Sequence, residues 1–305
     1  MKRQITTSGI YDKSASGSFV PIGTTTESSS FSKSSVTSTY LDGVKMLQVF
    51  RSNGFDPSRS SSLMRLVDQT SDSGAIPGEQ VSYGQLFASL QLRRVIDAVN
   101  TIISDPSLPR LLSELMDGTL DLLARAQSKA KDTLWEIELL RILRTNGISS
   151  EFGEPDLLLT ASADPVGVAC KKLYSAANFS KIISRAVSQI QRSLNLGIVA
   201  VNIDDLISSN SILNAPTPDV AAKMLDTIIY EFMAEHERHL RKYIEPGRAI
   251  AVIISCAALA DLDQNKPRFC NLRQTIAWHI PSISPQIDLQ FNAILSAFKS
   301  GAAHV

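Results

Sequence analysis

The pattern of apolar and polar positions divides this chain into a polar N-terminal part and a longer part with regular periodicity. Residues 1–40 hold eighteen Ser or Thr residues and no sustained apolar periodicity. A segment of this kind cannot bury enough apolar surface to offset the entropy lost on ordering. The sequence therefore predicts a disordered tail and linker over residues 1–80, interrupted by one short helix near residues 41–55.

The next part of the chain, residues 81–128, has the periodicity of amphipathic helices. Apolar residues lie three or four positions apart over residues 92–103, which predicts one helix. The same spacing over residues 109–147 predicts a second helix, interrupted near Gly118. We therefore expect residues 81–128 to form a helical extension in front of the main domain.

The remainder of the chain alternates helical stretches with short apolar runs of strand length. The elements follow the order helix-strand-strand-strand-helix-strand-helix-strand, with the last strand at residues 248–256. This order predicts an α/β fold in which a mixed sheet is flanked by helices. The core is expected to occupy residues 129–260, and residues 261–305 are expected to form a C-terminal extension packed on it.

Composition and charge narrow the classes of protein to which the chain can belong. Thirty basic residues balance thirty acidic ones, which argues against a protein that coats nucleic acid by charge alone but leaves room for a local basic cleft. Cys170, Cys256 and Cys270 are too few and scattered for a disulfide framework or a zinc site, and fit small buried residues. With no secretory signal and no membrane-length apolar run, we expect a cytoplasmic protein without a membrane segment.

The helix before the predicted sheet carries two glutamates with different expected surroundings. At 100° per residue, Glu136 falls in an apolar stripe with Leu139 and Leu143, whereas Glu138 falls on the other side, where solvent is expected. A carboxylate in an apolar stripe is costly without a partner such as a metal or a cation. Glu136 is therefore a candidate site residue, and pairing with Lys171 is the alternative explanation.

A second carboxylate and a lysine lie at the ends of two predicted neighbouring strands. Asp156 follows Pro155 at the start of one apolar strand, and Lys171 ends the next one. A turn between them places the two strands antiparallel, so that Asp156 and Lys171 lie near each other. A simple turn before a strand is the alternative explanation of the Pro-Asp pair.

The strand that ends in lysine and the helix after it supply the remaining candidates. Ala169 and Lys171 share one face of this strand, whereas Lys172 points to the other face, where a solvated charge is expected and a nucleic-acid contact is the alternative. Gln189 and Arg185 lie on the following helix, where Arg185 can bind a phosphate as a fork-like donor. Gln189, Arg185 and Lys172 are the candidate nucleic-acid-binding residues, and a polar helix face with surface ion pairs is the alternative.

The order of elements, with Glu136, Asp156 and Lys171 at these places, resembles the core of the PD-(D/E)XK nuclease superfamily. The resemblance covers residues 129–205, with 248–256 as a further strand. It implies a restriction-endonuclease-like sheet and a Mg²⁺-dependent phosphodiesterase, with Mn²⁺ as the alternative metal and DNA as the partner. It also implies that Glu136 and Asp156 bind the metal, that Lys171 assists the nucleophile, and that Gln189 fills the place of an auxiliary glutamine.

One departure from the family pattern leaves the activity open. The family usually has Glu or Asp two residues before the lysine, and this chain has Ala169 there. Three alternatives follow: cleavage with two acids, a degenerate nuclease fold that binds nucleic acid or forms complexes without cutting, or an α/β protein of unrelated activity. If the missing acid limits cleavage, Ala169→Glu is expected to restore or raise it. If Glu136 has taken over the ligand role, the added like charge is expected to leave activity flat or to lower it. Homo-oligomer formation is left open.

Two histidines form the remaining metal candidate. His236 and His239 lie one turn apart on a predicted helix, among Glu, Arg and Lys residues. A metal site would require a third ligand at a defined spacing, and the order is not H-E-x-x-H. The alternating charges therefore favour a solvent-exposed helix face.

Overall fold

The computed structural model describes residues 18–28, 33–71, 82–122, 124–160, 165–194, 196–207, 212–264, 268–281 and 284–302. These residues form one mixed sheet with helices packed on both of its faces. The α/β class, the mixed sheet and the N-terminal helices agree with the prediction from the sequence.

The sheet contains the eight strands that the described residues form. They are β1 (Ser18–Ser28), β2 (Ser150–Phe152), β3 (Leu157–Leu159), β4 (Val166–Lys172), β5 (Gly197–Asn202), β6 (Leu213–Ala215), β7 (Ala251–Leu262) and β8 (Phe269–His279). Their order is β1-β8-β7-β5-β4-β3-β2, and β6 pairs with β7. The pairs β4–β5, β5–β7 and β6–β7 are parallel, and the other pairs are antiparallel.

Helices pack on both faces of the sheet, and the N-terminal helices form a further layer that packs on α5. They are α1 (Lys33–Ser52), α2 (Ser62–Gln69), α3 (Tyr83–Ile102), α4 (Leu108–Leu115), α5 (Lys129–Thr145), α6 (Phe179–Ser193), α7 (Pro218–Ile244) and α8 (Pro285–Ala302). The break between α4 and α5 contains Gly118, whose φ of +100° favours glycine. The interruption predicted near Gly118 is therefore present, and it separates two helices.

Each face of the sheet is covered by its own pair of helices. Buried residues of α6 and α7, among them Phe179 and Leu225, pack with Val199 of the sheet in one apolar cluster. On the other face, Trp135 of α5 and Phe291 of α8 belong to a second cluster. The alternation of side chains along the strands supplies both clusters, because successive residues point to opposite faces.

The prediction of a disordered tail over residues 1–80 is wrong for much of that range. β1 pairs antiparallel with β8, and α1 and α2 pack their apolar residues, including Phe50 and Leu63, into a third cluster with α3, α4 and α5. One of the Ser residues caps a helix: Ser61 accepts a hydrogen bond from the N–H of Met64 at 3.2 Å at the start of α2. A high Ser and Thr content therefore did not mean disorder here. Residues 1–17, 29–32 and 72–81 lie outside the described residues.

The C-terminal part of the chain is more than an extension packed on the core. β8 lies between β7 and β1 inside the sheet, and all its residues are buried. The sequence of β8 did not indicate a buried strand, because one face of it carries polar residues. These residues, Asn271, Arg273 and Thr275, are nevertheless buried. Burial of these polar groups is tolerated because they find partners, as described below for Arg273.

Two smaller expectations concern cysteines and membrane segments. Cys170, Cys256 and Cys270 are free thiols and buried, as expected for small apolar side chains. Within the described residues, none of the helices combines the length and the apolar character needed to cross a membrane.

Candidate functional site

Asp156 lies immediately before β3, and three polar groups donate hydrogen bonds to its carboxylate. Antiparallel pairing of β3 with β4 sets Leu157 opposite Val168, and this register brings Asp156 next to the end of β4. The Oδ2 atom of Asp156 accepts hydrogen bonds from the backbone N–H of Cys170 at 2.7 Å and from Nζ of Lys171 at 3.1 Å. The proximity of Asp156 and Lys171 that the sequence predicts is therefore present.

Gln189 of α6, a helix packed on the sheet, also binds the carboxylate of Asp156. Its Nε2 atom donates to Oδ1 of Asp156 at 3.1 Å and to the carbonyl oxygen of Pro155 at 2.7 Å. Asp156, Lys171 and Gln189 thus form one hydrogen-bonded group. We call these three residues the Asp156 cluster.

Glycines allow the segment that carries Asp156 to approach the sheet. A Cβ atom on Gly167 would lie 2.7 Å from Cδ of Pro155, closer than real Cβ atoms come to other heavy atoms. A Cβ atom on Gly197 of β5 would lie 2.4 Å from the carbonyl oxygen of Gly167. Gly167 therefore lets Pro155 rest on β4, which fixes the approach of Asp156, and Gly197 lets β5 lie close to β4.

Glu136 lies on α5 in the apolar surroundings that the sequence predicts. Its neighbours Leu139 and Leu143 are buried, and Glu136 is half-buried with no hydrogen bond or ion pair to any described residue. Burial, and then the negative charge of Asp156, raises the pKa of Glu136 to about 7. Two carboxyl groups that repel each other in this way are candidate donors for a divalent cation.

Replacement of Glu136 by Gln should change how stability depends on pH. Because the pKa of Glu136 is higher in the folded than in the unfolded chain, the free energy of unfolding should fall as pH rises from about 4.5 through 7. At pH values above this window, Glu136→Gln should therefore be more stable than wild type by roughly 3 kcal/mol. Urea unfolding of both proteins over a pH series measures this difference.

The pH series has a built-in control, because Glu136→Gln should match wild type at acidic pH, where both side chains are neutral. Addition of Mg²⁺ at the alkaline end should stabilise wild type and leave Glu136→Gln unchanged if this carboxylate binds the ion. Parallel curves for the two proteins across the whole series would contradict the raised pKa.

Ala169 is fully buried, and its surroundings are apolar. It belongs to the cluster formed by α6, α7 and the sheet, with Ile183 and Val199 among its members. The missing acid therefore corresponds to a position without room or partners for a carboxylate in this chain. The effect of Ala169→Glu on cleavage stays a prediction, and the burial of Ala169 favours the alternative in which activity does not rise.

Ala169→Glu should destabilise the protein and add no activity. A larger, charged side chain at this position would overpack the cluster and bury a carboxylate without partners, so that the unfolding free energy should fall by about 3 kcal/mol or more. Ala177→Glu, at an exposed position close by in the chain, is the matched control and should change stability by less than about 0.5 kcal/mol. Unfolding in urea measures both; an undiminished midpoint in Ala169→Glu would show that the position accepts an acid.

The prediction that Glu138 faces solvent is wrong. Glu138 is 2% exposed, and its carboxylate is bound by Arg94 at 2.6 and 2.9 Å and by Arg273 at 2.7 Å. Burial alone would raise its pKa, but the charges of Arg273 and Arg94 hold the pKa below its ordinary value. The helix α5 is covered on both sides, by the sheet and by the N-terminal helices, so it has no broad solvent face.

The expectation of a solvated Lys172 is also wrong. Lys172 is buried, and its Nζ atom forms an ion pair with Asp205 at 2.6 Å and donates to Oδ1 of Asn202 at 2.8 Å. A lysine held in this way is not available to a phosphate of a bound nucleic acid. Of the three candidate nucleic-acid-binding residues, Gln189 contacts Asp156, Arg185 is exposed on α6, and Lys172 has a structural role.

The histidines of α7 also differ in part from the expected solvent face. His236 is buried, and its ring lies 4.6 Å from the rings of both Phe179 and Phe232. His239 is half-buried. In the described ranges, no group of three or more His, Cys, Asp or Glu side chains is arranged to hold a metal ion.

Two further groups near the Asp156 cluster do not stand out in the sequence motifs. Tyr174 follows β4, and its hydroxyl donates to Oδ1 of Asp132 at 2.9 Å. Asp132 lies one turn before Glu136 on α5; burial raises its pKa, while the charges of Lys172, Lys129 and Lys171 act in the opposite direction. The four-residue spacing of Asp132 and Glu136 was the available signal, since it places both acids on one side of α5.

Comparison of the chain with protein-family models, with curated proteins and with solved structures gave no match.

Proposed function

We propose that this protein is a Mg²⁺-dependent phosphodiesterase acting on DNA through a site that resembles that of PD-(D/E)XK nucleases. The observation that carries the proposal is the Asp156 cluster, in which an acid, a lysine and a glutamine from three separate elements share hydrogen bonds. The sequence of α5, β2, β3, β4, α6 and β5, with antiparallel pairing up to β4 and parallel pairing of β4 with β5, supports the resemblance.

The carboxylates of Asp156 and Glu136 are the residues that would hold the metal. They fit Mg²⁺ because it prefers oxygen ligands and keeps several waters, so two carboxylates suffice on the protein side. When bound, Mg²⁺ polarises a phosphoryl oxygen and lowers the pKa of a bound water. Mn²⁺ is the alternative ion for the same donors.

The remaining residues of the site have roles that follow from their contacts. Lys171 places an ammonium group 3.1 Å from Asp156, where it stabilises negative charge on an attacking hydroxide or on the phosphate. Gln189 and the N–H of Cys170 hold the Asp156 carboxylate in a fixed orientation. Glu136 is protonated in part near neutral pH, and binding of a divalent cation favours its ionised form.

The direct test is a cleavage assay with the full-length protein. Supercoiled and linear DNA are incubated with the protein and Mg²⁺ or Mn²⁺, and parallel samples contain excess EDTA. Nicked or linear products that depend on the metal are expected. An absence of products with both ions would reject cleavage of DNA under this proposal.

A second candidate function, nucleic-acid binding without cleavage, is favoured by one observation. Ala169 lies in an apolar cluster, so no third carboxylate stands two residues before Lys171. In that case the protein should retain DNA in a salt-dependent manner and form no product at any metal concentration. A gel-shift experiment beside the cleavage assay separates the two candidates, and a protein that neither cuts nor retains DNA would favour an unrelated activity.

A further inference from the structure

The solvent-facing side of α6 carries a straight row of polar side chains. Lys181, Arg185, Ser188 and Arg192 are all exposed and are separated by four, three and four residues. This spacing keeps them on one side of the helix, because positions three and four apart lie above one another. The row, here called the α6 stripe, is about 16 Å long at 1.5 Å per residue.

The positive charges of the α6 stripe are not neutralised by neighbouring acids. Residues 178–196 contain no Asp or Glu. Among the described residues, none forms an ion pair with Lys181, Arg185 or Arg192. On the neighbouring α7, in contrast, Arg241 pairs with Glu237 and Glu245. The α6 stripe is therefore a locally basic surface on a chain whose net charge is zero.

An open groove of about 400 Å³ runs beside this basic row. It is lined by Ser184, Arg185, Ser188, Gln191 and Arg192. Guanidinium, hydroxyl and amide groups are the donors by which proteins bind phosphate oxygens. Arg248 lies next to the groove and donates from Nη2 to Oε1 of Gln191 at 2.8 Å, which adds a fourth cation to the surface.

The α6 stripe is continuous with the candidate site. Gln189 lies four residues after Arg185, which makes the two side chains neighbours on the helix surface, and Gln189 donates to Asp156. A linear polyanion lying along the stripe would therefore pass next to the Asp156 cluster. The exposed positions of α6 are all polar, so the helix lacks the apolar anchors with which an amphipathic helix enters a membrane surface.

We infer that the α6 stripe binds the phosphodiester backbone of a nucleic-acid strand and guides that strand to the Asp156 cluster. This inference rests on the proposed function and deepens it, because it assigns the surface that holds the substrate. The donors of the stripe contact phosphates rather than base edges, so binding through it is independent of base sequence.

The test uses the full-length protein, a fluorescently labelled DNA duplex and the corresponding single strand, with EDTA present to prevent cleavage. Anisotropy titrations over a series of salt concentrations compare wild type with Arg185→Ala/Arg192→Ala. The matched control is Arg59→Ala/Arg65→Ala, which removes the same charge from exposed positions of the N-terminal helical layer. The α6 double variant should bind roughly tenfold or more weakly, and its salt slope on duplex DNA should fall by about 2. The control should match wild type.

Two results would overturn the inference. Unchanged affinity and salt slope in Arg185→Ala/Arg192→Ala would show that the stripe does not contact phosphates, and an equal loss in both double variants would show an effect of net charge only. If unchanged DNA binding went with loss of retention on vesicles of anionic phospholipid, a membrane would be the partner instead.

The variant Asp156→Asn distinguishes a failure of this inference from a failure of the proposed function. Asp156→Asn should bind DNA with the affinity and salt slope of wild type or tighter, and should not cut it. Loss of binding in the α6 double variant together with undiminished cleavage by Asp156→Asn would support the stripe and reject the proposed site. Loss of cleavage by Asp156→Asn with unchanged binding in the α6 double variant would support the site and reject the stripe.

Discussion

Replacement of Asp156 by Asn should reduce metal-dependent DNA cleavage by roughly a factor of 10³ or more. Asparagine keeps the size of the side chain but removes the charge that would hold Mg²⁺, and a bound metal contributes several kcal/mol of transition-state stabilisation.

Lys171→Met should lower the rate at saturating DNA by about 10²-fold, as expected for loss of one charged group that stabilises the transition state. Rates of plasmid nicking under single-turnover conditions measure both effects.

Each variant has a matched control within the chain. Glu151→Gln removes an exposed carboxylate from β2, and Lys223→Met removes an exposed lysine from α7. Both controls should cut DNA at the rate of wild type within about twofold, since surface substitutions away from a site rarely change stability by more than about 0.5 kcal/mol. Cleavage by Asp156→Asn at the wild-type rate would mean that the nuclease activity belongs to another site or to a contaminant.

Replacement of Glu138 by Gln should lower the free energy of unfolding by about 3–5 kcal/mol. Glu138 and Asp204 balance the charges of Arg94 and Arg273 inside the protein, with Arg94 3.0 Å from Asp204. Without the Glu138 carboxylate, one buried guanidinium charge is left uncompensated, which is among the most destabilising changes known for buried pairs. Urea unfolding at neutral pH measures the loss.

A double-mutant cycle shows whether this loss arises from the charge imbalance. Arg94→Gln/Glu138→Gln restores neutrality, so the double variant should be more stable than the sum of the two single effects predicts. Glu231→Gln, at an exposed position of α7, is the control and should unfold like wild type. Additive effects of the two substitutions would contradict a mutual dependence of Arg94 and Glu138.

The buried charges around Glu138 should make the stability of wild type sensitive to acid. Because the pKa of Glu138 is lowered in the folded state, its contribution is present above the ordinary value of 4.5 and is lost as pH falls through the folded-state pKa. The stability difference between wild type and Glu138→Gln should therefore shrink in this acidic range. The dependence is opposite in sign to that of Glu136, whose pKa is raised.

Local sequence patterns were sufficient for the parts of the fold and site that depend on near neighbours. The period of apolar residues indicates α5 and α6, and an apolar run after Pro155 indicates β3. The antiparallel hairpin between β3 and β4 then brings Asp156 to Lys171, because a short turn leaves few other arrangements. These contacts join residues close in sequence, and sequence reasoning reaches them.

Contacts between segments that are distant in sequence could not be predicted from local patterns. A helix has a solvent side only if nothing else covers it, and α5 is covered by the sheet and by α3 alike. Glu138 therefore meets Arg94, forty-four residues earlier, and Arg273, 135 residues later. No local sequence pattern distinguishes an arginine that forms a buried ion pair with a distant residue from one that is exposed to solvent.

Sequence patterns alone were enough to predict the α/β class, the hairpin that carries Asp156 and Lys171, and the polar face of α6. The three-dimensional fold was needed to show that α1 extends over Lys33–Ser52 and is followed by α2, that β8 lies inside the sheet, and that Lys172 and Glu138 are buried. Periodicity and turn chemistry act over a few residues, whereas burial of a polar or charged group depends on a partner supplied from elsewhere in the chain.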